Sequence, residues 1–299
     1  MTESPSAADA GTITLGDLTV HRLGFGAMRI TGSGVWGPPP DHDTALAVLR
    51  RAVERGVDFI DTADSYGPEV SEELIAEALS PYADGLVIAT KGGFLRDGPN
   101  RWRPDGRPEH LREACEGSLR RLGLDTIPLY QYHTPDPAVP FEESVGTLVD
   151  LQKEGKIRHI GLSNVDVGQV DRALALTPIV SVQNRYNVAD RRSDPVIDAA
   201  EAKGFAFIPW APISRGSADT RALDAVAQAH DASPIQVAIA WQLARSPRML
   251  PIPGTGSVAH LDENVDAVAL RLDADEVASL ATPPRPRNRS SRVLRRLKR

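Results

Sequence analysis

Val57-Asp58-Phe59-Ile60-Asp61-Thr62-Ala63-Asp64-Ser65-Tyr66-Gly67 decides how the rest of this 299-residue chain is understood. A short apolar run ends at Asp61, and a turn holding Tyr66 follows. That is the pattern of a buried strand delivering a carboxylate and a phenol to one rim of a sheet. Two later runs repeat it. Leu86-Val87-Ile88-Ala89-Thr90 ends in Lys91, and Ile127-Pro128-Leu129-Tyr130-Gln131-Tyr132 ends in His133.

Working outward, strands and helices alternate along the whole body. Thr12–Leu15 and Leu18–Val20 flank Gly16-Asp17 and predict a hairpin. Leu23–Gly26 is a short strand, and 43–56 has helical apolar spacing that stops at Gly56. Helix 71–80 precedes strand 86–90. Residues 92–107, rich in Gly, Pro and Arg, predict a loop. Helix 108–122 starts at Pro108 and leads to strand 127–132. Then come helix 141–155, strand 157–162, helix 166–175, strand 179–183, helix 194–203 and strand 205–210. Helices 218–230 and 234–245 precede strand Met249–Ile252, and helices near 258–268 and 273–281 close the body.

Eight Val- and Ile-rich strands that mostly do not alternate with polar residues suit a parallel sheet buried on both faces. Their number and the body length match a closed (β/α)8 TIM barrel. A doubly wound sheet would carry a glycine-rich dinucleotide loop after its first strand, and Gly24-Phe25-Gly26 lacks the third glycine. The expected layout is an α/β (β/α)8 barrel over 11–282 with an N-terminal β-hairpin and extra C-terminal helices. Residues 1–10 are expected to be a flexible lead, and 283–299 a poorly ordered basic tail.

Composition excludes several classes. The chain is 41% hydrophobic and 25% charged, ordinary for a globular protein. No run approaches the ~18 apolar residues of a membrane span. Met1–Ala10 lacks the basic and apolar blocks of a signal peptide, so a cytoplasmic location is expected. The single cysteine, Cys115, rules out an intrachain disulfide and a cysteine-rich metal site, and its helical pattern marks it as packing. No metal is expected. The net charge is −6, yet Pro283–Arg299 holds eight basic residues and no acid. That tail could bind nucleic acid or an anionic membrane. A solvated terminus lying back on the acidic body is the preferred reading, so neither partner is expected.

Strand C-terminal ends converge on one face of a barrel, so Asp61, Lys91 and His133 should be neighbours. A free phenol is a poor acid at neutral pH. An ammonium beside Tyr66 would lower its pKa, and a carboxylate would hold that ammonium charged. Asp61, Lys91 and Tyr66 thus suit a relay that makes Tyr66 a general acid, with His133 hydrogen-bonding a substrate oxygen.

Gly56–Ala63, with Tyr66-Gly67 behind it, resembles the first signature of the aldo-keto reductase family. Lys91 and His133 stand where that family keeps its other two catalytic residues. The resemblance covers nearly the whole body and implies a NADPH-dependent reductase of aldehydes or ketones. Ile160–Asn164 and Val182–Asn187 resemble its nicotinamide-carboxamide segments, implying that role for Ser163, Asn164 and Gln183. Trp210-Ala211-Pro212-Ile213-Ser214-Arg215-Gly216 resembles the stretch whose leading aromatic stacks on nicotinamide, which implicates Trp210, Pro212, Ile213, Arg215 and Gly216. Gly26 and Met28 are further candidates for binding the cofactor. Pro251–Ser257 through His260, Glu263 and Asn264 resembles the adenosine-phosphate site, implicating Gly254, Thr255 and Ser257 as well. A glycine-rich turn entering a helix suits a phosphate independently of the family. Gly254 and His260 replace the Lys and Arg that many members set against the 2′-phosphate, so NADH is less firmly excluded.

Trp36, Phe94 and Trp102 are candidates for the substrate mouth. Val35–Pro39 and Gly254–Leu261 resemble bacterial members that reduce pyridoxal, and a secondary-metabolite carbonyl is an equal expectation for the small-molecule substrate. A cofactor-sensing regulatory subunit of the same fold is the competing function. Oligomeric state stays open.

Overall fold

Residues 4–211 and 220–281 are described by the structure, a computed structural model. Thr12–Leu15 (β1) and Leu18–His21 (β2) form an antiparallel hairpin. Seven parallel strands follow in the curved sheet: Phe25–Gly26 (β3), Phe59–Asp61 (β4), Val87–Gly92 (β5), Ile127–Tyr132 (β8), Ile157–Ser163 (β9), Ser181–Arg185 (β10) and Ala206–Trp210 (β11). His42–Glu54 (α1), Val70–Leu79 (α2), Pro108–Leu122 (α3), Phe141–Lys153 (α4), Val167–Leu174 (α5) and Asp194–Lys203 (α6) each lead into the next strand. Thr220–Ala229 (α7), Pro234–Arg245 (α8), Val258–Asp266 (α9) and Ala274–Ala281 (α10) complete the helices.

Local chemistry sets these boundaries. Asp41 caps α1 by accepting the Thr44 N–H at 2.9 Å, and Ser233 and Gln236 form a capping box on α8. Gly123 ends α3 in the left-handed region, which a Cβ would disfavour.

The predicted eighth strand, Met249–Ile252, is instead a segment with one isolated bridge, Phe207 to Met249. Pro251 and Pro253 have no N–H to extend a ladder. The segment still closes the barrel. Leu250 N–H donates to Phe207 O at 2.9 Å on one side, and Gly24 N–H donates to Pro251 O at 2.9 Å on the other.

Pleating decides which side chains enter the barrel. Phe59, Val87, Ala89, Leu129, Ala206, Ile208, Leu250 and Ile252 pack inside it. Ile13, Leu15 and Val20 of the hairpin join them and plug one end. The alternate residues Ile60 and Ile88 pack outward among α1 and α2 residues, while Tyr130, Ile160 and Phe207 join the cluster that includes α3 to α8. Burying each large apolar side chain contributes about 1.5–3 kcal/mol. One step further along the inward faces the apolar filling gives way to Asp61, Lys91, Gln131 and Gln183, all buried. Gly161 leaves room for this layer, because a Cβ there would lie 2.9 Å from Gln131 Cγ.

One expectation needs correction. The predicted loop 92–107 contains an antiparallel hairpin, Phe94–Gly98 (β6) with Arg101–Pro104 (β7). Gly98 and Asn100, at φ +139 and +55, let the chain reverse around Pro99. The lead expected to be flexible includes a capped 3₁₀ turn, Ala7–Ala10. It is docked by Ala7 N–H on Arg55 O at 2.9 Å and by Arg55 Nη2 on Pro5 O at 2.9 Å. Residues 283–299 lie outside the described residues, and no described helix is long and apolar enough to cross a membrane.

Candidate active site

Register brings the three strand ends together. Asp61 pairs alongside Ala89 and Lys91 alongside Gln131, so neighbouring strands present their inward side chains at one level. Lys91 Nζ donates to Asp61 Oδ2 and to Thr62 O, each at 2.7 Å, and lies 3.4 Å from Tyr66 Oη. The other carboxylate oxygen of Asp61 accepts from Gln131 Nε2 at 3.0 Å and Gln183 Nε2 at 2.8 Å. Asp61 is therefore satisfied on both oxygens.

Burial works against the Lys91 ammonium, but Asp61 and Tyr66 beside it outweigh that and hold its pKa above the ordinary lysine value. Tyr66 departs from expectation. Burial raises its phenol above the usual tyrosine range, and the opposing pull of Lys91 does not reverse this. The phenol therefore keeps its proton at neutral pH. His133 is pushed well below the usual histidine range by burial, with the Lys91 and Arg96 charges acting the same way. Its imidazole is neutral, and Ser65 Oγ lies 3.4 Å from Nδ1.

The hairpin β6–β7 forms an aromatic wall over these groups. Phe94 stands 4.7 Å from the His133 ring edge-to-face, and Trp102 stands 6.2 Å from Tyr66 and 6.3 Å from His133. Trp36 is exposed at the rim and joins this wall through Arg96, whose guanidinium lies between the two indoles. Tyr186 stays out of this wall, buried against Phe207 and Trp241.

On the opposite side, Asn164 adopts φ +58. Its amide donates to His133 O at 3.0 Å and to Ser163 Oγ at 3.1 Å, while its oxygen accepts from Trp210 Nε1 at 3.2 Å. Trp210 is held by its edge and remains half-buried. Gln183 is turned toward Asp61. Gly26 and Gly254 touch backbone to backbone, and a Cβ on Gly254 would collide with Gly26 O. Met28 is half-buried beside them. Ser257 caps α9, and Thr255 Oγ1 accepts the Ser257 N–H at 3.1 Å. His260 is exposed in the first turn, with Glu263 half-buried and Asn264 buried further along. Pro212, Ile213, Arg215 and Gly216 lie outside the described residues.

The residues missed by sequence reasoning are Gln131, Ser65, Arg96 and Arg29. Gln131 shares the inward period of Leu129 and His133, a signal that was present. Arg29 is exposed, and its Cγ lies 3.7 Å from where a Gly254 Cβ would be. That puts a cation beside the glycine turn which lacks one of its own.

A half-buried indole, a glycine turn entering a helix N-terminus and a nearby Arg form a donor set that suits a dinucleotide. Comparison with known proteins agrees. A profile described as the Aldo/keto reductase family matches residues 22–282. An uncharacterised oxidoreductase of Schizosaccharomyces pombe is 49% identical over 276 residues, covering 92% of this chain and 90% of that one. Pyridoxine 4-dehydrogenase of Escherichia coli is 43% identical over 279 residues, covering 91% and 97%. A crystal structure of an aldo/keto reductase from Klebsiella pneumoniae with NADP and acetate superposes with a TM-score of 0.75 at 26% identity, covering 93% and 98%.

Proposed function

The chain belongs to the aldo/keto reductase family of NAD(P)H-dependent oxidoreductases, and on that premise we propose that Tyr66, Lys91, Asp61 and His133 carry out reduction of an aldehyde with NADPH. The observation that carries this is the Lys91 ammonium, buried between Asp61 Oδ2 and Tyr66 Oη.

NADPH, when bound, supplies the hydride. Tyr66 donates its phenol proton to the carbonyl oxygen as that oxygen gains charge. Lys91 stabilises the phenolate left behind, and Asp61 keeps Lys91 charged and aimed. The neutral His133, taking Ser65 Oγ–H at Nδ1, offers its other nitrogen as a donor to the same oxygen. Trp210 provides a face for the nicotinamide ring. The Gly254–Ser257 turn, the start of α9 and Arg29 hold the phosphates, and Arg29 supplies the cation that suits NADPH. The NADP-containing Klebsiella pneumoniae structure supports this choice of cofactor.

For the substrate we propose a flat aromatic aldehyde of the pyridoxal kind. Phe94 and Trp102 crowd His133 and Tyr66 with ring faces and edges, which favours a planar partner. The relationship to pyridoxine 4-dehydrogenase points the same way.

NADPH oxidation followed with pyridoxal, benzaldehyde and aliphatic aldehydes tests this. Turnover with the aromatic aldehydes, lost about 10²–10⁴-fold in Tyr66→Phe while NADPH still quenches tryptophan fluorescence, is expected. Undiminished turnover in that variant would remove Tyr66 from the reaction. Tight NADPH binding without turnover of any carbonyl would favour a cofactor-sensing subunit.

A further inference from the structure

Arg96 has no carboxylate partner within ion-pair distance among the described residues. Every one of its hydrogen bonds goes to a backbone carbonyl. Nε donates to Arg101 O at 3.2 Å, Nη1 to Val35 O at 2.7 Å and Ser65 O at 2.6 Å, and Nη2 to Gly34 O at 3.1 Å and Gly98 O at 3.3 Å. A guanidinium has five N–H donors in a fixed plane, and here all five are used. The acceptors come from three separate places: the loop before Trp36, the residue before Tyr66, and the hairpin that carries Phe94 and Trp102. The same guanidinium lies 3.6 Å over the Trp102 ring and 5.7 Å from that of Trp36. No donor is left for a substrate, so direct recognition of an anionic group is not its task.

We propose that Arg96 is a positioning residue that fastens the Ser65–Tyr66 turn to the Trp36 loop and the β6–β7 hairpin, so that the phenol and the aromatic wall meet the aldehyde in one fixed geometry. The inference rests on the assignment of Tyr66 as proton donor. Lysine cannot replace Arg96, because it offers three donors around a point rather than five in a plane. Misplacement of a reacting group by about 1 Å can cost 10²-fold in rate, which sets the size of the effect.

The test uses the full chain with benzaldehyde and NADPH. Arg96→Ala is expected to lower kcat about 10²-fold and raise the aldehyde KM, with the NADPH Kd from tryptophan quenching unchanged. Added guanidinium ion at millimolar concentration should restore at least about tenfold of the lost kcat, while methylammonium should restore none, because only the former fills the planar five-donor site. If Arg96→Ala does not fold, Arg96→Lys keeps stem and charge and should still lower kcat about tenfold at unchanged NADPH Kd. Wild-type kcat in either variant, equal rescue by methylammonium, or parallel loss of kcat and NADPH binding overturns the proposal. Failure of the unsubstituted protein to reduce any aldehyde would instead overturn the functional assignment beneath it.

Discussion

The Lys91 ammonium lies 2.7 Å from Asp61 Oδ2, with both side chains sealed from solvent. Breaking a buried pair from one side leaves an uncompensated charge, at a cost of about 3–5 kcal/mol. Asp61→Asn should therefore lower the free energy of unfolding by that amount, read as a lower urea midpoint at unchanged slope, and kcat should fall with it because Lys91 loses the charge that keeps it protonated. Asn can still accept from Gln131 and Gln183 through its carbonyl oxygen, so the loss isolates the charge. An unchanged urea midpoint would show that Lys91 is neutral in the native protein.

His133 is neutral in the folded state because burial and the Lys91 and Arg96 charges oppose its protonation. Its native pKa lies below its unfolded value of about 6.5, so the unfolded chain takes up the proton first. Two outcomes follow from one residue. The kcat/KM profile should run without a His133 break between pH 6 and 7, and stability should decline as pH falls below about 6.5. A break near pH 6.5 that disappears in His133→Gln would contradict both.

Asp64 sits three residues from Asp61 with its Oδ1 buried and without a hydrogen-bond partner. Burial raises its pKa to about 8, Glu72 adds to the rise, and Arg121 opposes it. The native protein then holds a proton that the unfolded chain releases near pH 4, so stability falls as pH rises from about 4 to about 8. Asp64→Asn removes that dependence. The melting temperature of the variant minus that of the parent should grow between pH 5 and pH 8. A difference that stays constant or shrinks would place the Asp64 charge in a compensated site.

Why some of this was legible in the sequence and some was not has a physical basis. Asp61, Lys91 and His133 each follow an apolar run, and strand ends in a parallel barrel share one face, so their meeting could be foreseen. The hairpin β6–β7 could not, because its Gly98, Pro99 and Asn100 turn dominates so short a segment. Without the hairpin, nothing marks Arg96, whose five acceptors are scattered between residues 34 and 101. The direction of the Tyr66 shift was also hidden. Sequence shows that Lys91 is near, but the desolvation that outweighs it depends on how Trp102 and His133 close over the ring. The apolar run Met249–Ile252 marks the eighth barrel segment, while Pro251 and Pro253 leave it one isolated bridge in place of a regular ladder.

Arg29 lies beside the Gly254–Gly256 turn, its Cγ 3.7 Å from where a Gly254 Cβ would be and its carbonyl oxygen 3.1 Å from where a Gly256 Cβ would be. A charged hydrogen bond contributes about 1.5–3 kcal/mol, so Arg29→Ala should weaken NADPH binding by about tenfold or more. Because the side chain is exposed, the effect should shrink as ionic strength rises. Titrating both nucleotides into parent and variant locates the contact. Loss for NADPH alone assigns Arg29 to the 2′-phosphate and makes it the substitute for the Lys and Arg replaced by Gly254 and His260. Equal loss for NADH assigns it to the pyrophosphate. Unchanged affinity for both removes Arg29 from the cofactor site and leaves the α9 N-terminus to hold the phosphates through backbone N–H groups alone.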